Sequence, residues 1–345
     1  VSTNFSPAPD NPAVAAAREA LPDVCVLGMG LIGGSMMRDL RDAGLACFGW
    51  NRSAATVEAA TAEGFDATTD LAAALARAEA SGALIVIGTP MTVVGRMLDA
   101  IAEHAPACTI TDVVSVKGAV AREVSARGMD ERFVGAHPMA GSAQAGWDAT
   151  VEGLFDGAPW VISYDLAEAR AAEGQEAPAR WVEAFRQVAA LGTALGSQLI
   201  PATSERHDRA VARISHMPHL AAYAVAAVGA GETAGDLAVS LAAGSFRDGT
   251  RVAAAEPDMV MSWCENNATE VLSALDDAIA ALTGAREQLA SSGTARDLAE
   301  LGHQARLRYE ARPAQRPVTR VEIGAEGWVS QLRLAENAGG QIEVF

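Results

Sequence analysis

Short apolar runs recur along the first part of the chain, each closed by a turn and followed by apolar residues at helical spacing. Residues 24–27, 46–50, 83–87, 109–114 and 133–136 have the length and character of buried parallel strands. The segments 31–43, 54–63, 70–80, 91–104 and 117–127 between them carry helical periodicity. This alternation predicts an α/β Rossmann-type domain. Residues 159–163 and 197–201 read as further strands and 180–195 as a helix, with 165–178 an exposed Ala-, Glu- and Gly-rich excursion. From Thr203 the strands vanish. The Ala-rich stretches 204–229, 234–243, 258–291 and 294–308 predict an all-α second domain, too apolar for isolated helices and so expected to be shared with a second subunit. Residues 318–323 and 341–345 alternate weakly, which suggests a small β appendage. The expected division is a disordered tail over 1–21, the Rossmann-type domain over 22–202, the helical domain over 203–312 and an extension over 313–345.

Composition narrows the function. The 345 residues are 50% hydrophobic and 20% charged, with a formal net charge of −17. Such an acidic surface argues against nucleic acid and anionic membranes as partners, while leaving room for a locally basic pocket. No apolar run is long enough to span a bilayer, and the Ala- and Pro-rich start lacks the pattern of a signal peptide. Cys25, Cys47, Cys108 and Cys264 are widely spaced, as expected of reduced thiols in a cytoplasmic protein.

The first apolar run leads into Gly28-Met29-Gly30-Leu31-Ile32-Gly33, a G-x-G-x-x-G fingerprint placed between a strand and a helix. Gly28 permits the tight turn, Gly30 lets a pyrophosphate approach the backbone, and Gly33 lets the helix pack closely on the strand. The backbone N–H groups of the helix start at Leu31 and Ile32 then face phosphate charge. The second run ends in Asn51-Arg52-Ser53, where an NAD enzyme usually keeps a carboxylate for the ribose. A guanidinium and a hydroxyl suit a 2′-phosphate, so NADP is favoured and NAD is the alternative. Ser53 serves equally as a helix cap. Thr89 and Pro90 follow the third buried strand and are placed to touch the cofactor.

His137 stands in Gly135-Ala136-His137-Pro138-Met139-Ala140-Gly141-Ser142 at a strand end, where a neutral imidazole can take a proton from a substrate hydroxyl as hydride leaves the same carbon. A buried histidine bridging backbone groups is the plainer alternative. Ser115 can donate to the substrate, orient His137, or cap the helix after it. His207, His216 and His219 open the second domain, but no acid or cysteine completes a metal set at ligand spacing, so no metal is expected. His216 suits a carboxylate, and His207 is either a substrate contact or structural. Of the two arginines in the turn read over 244–252, Arg247 fits a solvated loop residue, while Arg251, beside an apolar helix start, fits equally a grip on a carboxylate or a solvated loop residue.

Together, the Gly28–Ser35 turn, Asp112-Val113-Val114-Ser115-Val116-Lys117-Gly118, Ala136-His137-Pro138-Met139-Ala140-Gly141, His207-Asp208, Ser215-His216-Met217-Pro218-His219 and Thr250-Arg251-Val252-Ala253 resemble the prephenate/arogenate dehydrogenases of tyrosine biosynthesis, over residues 22–310. The resemblance implies a homodimeric NAD(P)-dependent oxidative decarboxylase acting on prephenate or arogenate. By the same resemblance His137 matches the catalytic histidine, Ser115 its supporting serine, and His216 and Arg251 the residues that hold carboxylates. Ala143 stands where many members have Glu, as in some arogenate-using members, and no regulatory domain of the usual length is expected after residue 312. A β-hydroxyacid dehydrogenase, an imine reductase or a non-catalytic NADP-binding protein are the alternatives; the His-Pro turn speaks against the first two, and the conjunction of His137, Ser115 and Arg251 against the third.

Overall fold

The computed structural model describes residues 12–141, 144–312 and 316–344. Residues 1–11, Ser142 and Ala143 lie outside that range, and with them most of the expected tail and the Ala143 position.

Six strands, β1 (Val24–Leu27), β2 (Cys47–Trp50), β3 (Ala67–Thr68), β4 (Leu84–Ile87), β5 (Ile110–Asp112) and β6 (Phe133–Val134), form one parallel sheet in the order β3-β2-β1-β4-β5-β6. β1 and β4 are fully buried, as continuous apolar runs require of central parallel strands. The order reverses between β1 and β4, so their carboxyl ends border the crevice where an α/β sheet takes its ligand.

The last apolar run divides in two. β6 ends at Val134, and after Gly135 the chain enters a second sheet as β7 (Ala136–Pro138). β7 pairs antiparallel with β8 (Pro159–Ser163), which pairs parallel with β9 (Gln198–Ala202). His137 is therefore a strand residue opposite Val161, not a member of a turn beyond a strand. Pro138 is tolerated because β7 is an edge strand. The excursion read over 165–178 begins instead as a helix, Asp165–Ala172, with Ala167 buried.

The chain folds as two compact units, residues 1–207 with 317–345, and residues 208–316. The helix Pro12–Ala20 packs on the helix Ala179–Ala194, so part of the tail is ordered. Residues 317–345 rejoin the first unit rather than standing apart. They form β10 (Val318–Val321), the helix Trp328–Ala338 and β11 (Gln341–Val344), a parallel β-α-β crossover. Trp328 and Leu332 enter the main core, where Trp328 meets Trp181 and Phe185. The intervening helix carries Trp328, Val329, Leu332 and Ala335 at helical spacing, a periodic stretch that the reading of 313–345 as a weakly alternating extension passed over.

The second unit is helical. The stretch read as 204–229 is broken by a π-helical turn, Ala212–His216, before the helix Met217–Ala230. Pro218 sits in the first turn of that helix, where its missing N–H costs nothing. Asn267 breaks the next long stretch into Pro257–Asn266 and Ala268–Ser292. The turn expected around Arg247 is the helix Gly244–Thr250, followed by a short 3₁₀ turn, Arg251–Ala254. The apolar cluster of this unit is small, Ala212, Val271 and Ala274, while Val228, Leu237, Leu241, Leu282 and Leu301 stay exposed. So much exposed apolar side chain over so small a core marks an association surface.

One partly buried carboxylate of the first unit has a measurable pH signature. Burial, with Asp42, Glu152 and Asp156 as neighbouring like charges, raises the Asp39 carboxyl from 3.8 to about 6, although the Gly153 N–H donates to it. A folded-state value above the unfolded one means the native state binds the proton more tightly, so this group costs stability as pH rises through that window. Asp39→Asn is expected to raise Tm above neutral pH and to give no gain below the ordinary Asp value of 3.8, as thermal melts across pH would report.

Candidate active site

The three fingerprint glycines do different work. Gly28 has φ +109°, and a Cβ there would lie 2.7 Å from the Gly88 carbonyl oxygen, so the turn and the β1–β4 approach both exclude a side chain. A Cβ on Gly33 would lie 2.1 Å from the Gly28 carbonyl oxygen and 2.9 Å from Val26 Cγ1, which fixes how closely the helix Leu31–Asp42 seats on β1. Gly30 is the opposite case. It caps that helix with no side-chain bond, and a Cβ there would meet nothing within 4 Å. Open space at a helix N-terminus beside bare backbone is what a pyrophosphate needs. Leu31 and Ile32 form the first turn of the same helix.

Thr89 stands next to this turn, and its Oγ1 is buried without a hydrogen-bond partner. An orphaned hydroxyl at the β4 end fits a site completed by a ligand. Pro90 is exposed and precedes the helix Met91–His104. At the β2 end, Asn51 Oδ1 accepts from the Ser53 N–H at 3.0 Å, and Ser53 Oγ accepts from the Thr56 N–H at 3.3 Å. Ser53 is thus a helix cap, and Asn51 shapes the turn. Arg52 between them is exposed and makes no hydrogen bond or ion pair with the described residues.

The half-buried His137 ring meets a second imidazole. Its Nδ1 lies 2.9 Å from Nε2 of His207, with the rings edge to face at 74°. One proton is shared between these nitrogens, so the tautomers of the two rings are linked. His207 itself is buried.

The peptide before His137 is fastened by a buried ion pair. Asp112 closes β5 with no exposure, and Lys117 opens the helix Lys117–Ser125 at 2%. Their side chains pair directly. Asp112 Oδ1 accepts from the Ala136 N–H at 3.3 Å, and Lys117 Nζ donates to the Ala136 carbonyl oxygen at 2.6 Å. Burial pushes the Asp112 carboxyl up, and the Lys117 ammonium pulls the other way. Both polar groups of Ala136 are thereby held, which fixes the strand that carries His137. Ser115 lies in the loop between these two residues, and the helix cap is Val116, not Ser115. The sequence shows both charges flanking Ser115, but separation in the chain hides their common target at Ala136.

In the second unit, His216 is buried on the π-helical turn and stacks on Trp263. Asn267 Nδ2 donates to the Asp208 carbonyl oxygen at 2.8 Å and lies 3.3 Å from His216 Nδ1. His219 Nδ1 binds the Ser215 carbonyl oxygen at 2.8 Å, a backbone role. Asn267 carries no signal in the sequence, since its partners lie far away along the chain. Arg251 is exposed and makes no hydrogen bond or ion pair with the described residues. Among the described residues, no group of three or more His, Cys, Asp or Glu side chains is placed to hold a metal ion, and no helix is long and apolar enough to cross a membrane.

Comparison with known proteins agrees with this division. Residues 36–173 match the family model described as prephenate dehydrogenase, nucleotide-binding domain, and 203–302 match prephenate dehydrogenase, dimerization domain. A Corynebacterium glutamicum crystal structure, described as a candidate prephenate dehydrogenase, is 45% identical and superposes with a TM-score of 0.88 over 94% of this chain and 99% of that one. The arogenate dehydrogenase of Synechocystis is 30% identical, with a TM-score of 0.65 over 84% of this chain and 99% of that one. The cyclohexadienyl dehydrogenase of Zymomonas mobilis is 28% identical over 78% of this chain and 88% of its own length. A Rossmann sheet with its glycine turn, a helical unit after it and these two matched domains place the chain in the prephenate dehydrogenase family of nicotinamide-dependent oxidoreductases.

Proposed function

We propose that the chain oxidises and decarboxylates prephenate or arogenate, as a cytoplasmic homodimer, with NADP favoured over NAD and His137 as the base. The observation that carries this reading is the His137 imidazole on β7, fixed through Nδ1 by His207. For His137 Nε2 to accept a proton, Nδ1 must carry the hydrogen and donate it to His207 Nε2. His207 thus sets the tautomer of the base.

A bound nicotinamide supplies the hydride acceptor, and the residues of the crevice fit it: Gly28, Gly30 and Gly33 make the turn, Leu31 and Ile32 open the helix, and Thr89 and Pro90 flank the opposite strand end. His137 Nε2 takes the proton of the ring C4 hydroxyl as hydride leaves C4. The ring carboxylate then departs as carbon dioxide, its electrons aromatise the ring, and the imidazolium returns the proton to the phenolate oxygen. Ser115 donates to the same hydroxyl, and His216 and Arg251 hold carboxylates. Aromatisation drives the reaction, so the protein needs chiefly to align the hydride and bind a substrate carrying two carboxylates. The exposed leucines of the helical unit are covered by a second copy, in keeping with the description of the matched family domain. The four free cysteines accord with a reducing compartment.

A four-way assay, prephenate and arogenate each with NADP and NAD, tests the activity; reduction with neither substrate would refute it. The same assay tests Arg52. A guanidinium on a 2′-phosphate is worth about 1.5–3 kcal/mol, so Arg52→Ala is expected to raise KM for NADP by about 10- to 100-fold and leave KM for NAD nearly unchanged. Equal effects on both cofactors would remove Arg52 from 2′-phosphate recognition.

A further inference from the structure

We infer that the C-terminal β-α-β segment is a positioning element for the catalytic base, acting through Glu336. This rests on the proposed role of His137 and extends it to residues 318–344, which lie beyond both matched family regions.

Glu336 lies on the helix Trp328–Ala338, with its side chain only 7% exposed. Its Oε1 accepts from the Thr203 N–H at 3.0 Å. Its Oε2 accepts from the Tyr164 hydroxyl at 2.6 Å and pairs with Arg206 Nη1 at 2.9 Å. Arg206 also donates to Asn337 Oδ1 at 2.7 Å. These contacts converge on the start of the helix Ser204–Val211, which carries His207. The Thr203 carbonyl oxygen in turn accepts from the His207 N–H at 2.9 Å. Three hydrogen bonds, joined through the covalent frames of Thr203 and His207, thus link Glu336 to the His207 backbone and His207 Nε2 to His137 Nδ1.

The chemistry suits a brace. A carboxylate at a helix start is favoured by the exposed N–H groups and the dipole. Asp165 makes the same kind of contact one residue on, accepting from the Ser204 N–H and hydroxyl, both at 2.8 Å. Asp165 opens the helix that directly follows β8, the strand paired with β7, so it is anchored to the sheet on which His137 lies. Glu336 ties in an element that the rest of the fold does not supply. The Trp328 and Leu332 side chains root that element in the core, which makes the carboxylate a fixed point rather than a mobile surface group. Loss of the contact lets His207 shift, and His137 loses the partner that holds its orientation and tautomer.

The test is Glu336→Gln, made alone and together with His137→Asn, with kcat, the pH profile of kcat, and NADP affinity by fluorescence titration. A displacement of about 1 Å costs up to about 10²-fold in rate, so a fall in kcat of about tenfold is expected, with the acid limb of the profile displaced and NADP affinity unchanged. In the His137→Asn background Glu336→Gln should cost nothing further, because residues that act as a unit are non-additive. Arg206→Met removes the same ion pair from a side chain 46% exposed, where folding is not at stake, and should move kcat the same way by a smaller factor. Unchanged kcat and pH profile in both Glu336→Gln and Arg206→Met, with His137→Asn inactive, would overturn the brace and leave the base intact. Equal losses with and without His137 would also overturn it. An active His137→Asn would instead remove the base itself, and the brace with it.

Discussion

His137→Asn is expected to lower kcat by about 10²–10⁴-fold, the usual worth of a positioned acid–base group, while NADP still binds. The Asn amide occupies much of the space of the imidazole and can still hydrogen-bond to His207, yet it cannot take a proton. The ring is half-buried on an edge strand, so its replacement removes no core packing. The glycine turn and Thr89 belong to the β1 and β4 ends of the other sheet, which is why cofactor affinity should be insulated from the change. Steady-state kinetics and a binding titration on the same preparation separate the two effects. Turnover close to that of the unaltered chain would dismiss the base, and lost NADP binding would show that the substitution acts through the fold.

The second large effect concerns stability. Lys117→Met should cost about 3–5 kcal/mol, because it leaves the fully buried Asp112 charge without its partner. The loss should depend on pH in a defined direction. Without Lys117 the Asp112 carboxyl titrates well above its unfolded value, so the folded variant holds the proton more tightly, and stability falls as pH rises through that window. Removing both charges, as Lys117→Met with Asp112→Asn, should recover much of the loss, since the uncompensated ion causes it rather than the missing bond. The double variant retains a donor and an acceptor in the new side-chain amide but has no ammonium on the Ala136 carbonyl oxygen, so its turnover should recover less than its stability. Denaturant unfolding at several pH values reads the first part and kinetics the second. A Lys117→Met protein as stable as the original at neutral pH would contradict the reading of this pair.

The residues show clearly which parts of this design depend on local pattern. The β1 run and the three glycines after it announce the sheet, the turn and the crevice, because strand burial and helix approach act on neighbours in the chain. The change after Thr203 from alternating strands and helices to helical stretches without intervening strands announces the helical unit for the same reason. What the pattern hides is tertiary. Gly135 moves the chain between sheets, and nothing in a short apolar run distinguishes one long strand from two short ones. His207 looks like a substrate contact or a structural residue until the fold sets it beside His137. The helix that carries Glu336 shows its apolar face in Trp328, Val329, Leu332 and Ala335, but nothing in the pattern marks Glu336, whose partners, Tyr164, Thr203 and Arg206, come from distant segments. Asn267 interrupts a stretch with helical periodicity on both sides, and its side chain is committed to Asp208 and His216 rather than to a local turn.

Simultaneous determination of reduced nicotinamide and released carbon dioxide, with the unaltered chain and either cyclohexadienyl substrate, bears most directly on the whole account. One carbon dioxide should appear for each nicotinamide reduced, with NADP the better acceptor, and both signals should collapse together in His137→Asn. Nicotinamide reduction without carbon dioxide, or both products at full rate in the absence of that imidazole, would contradict it.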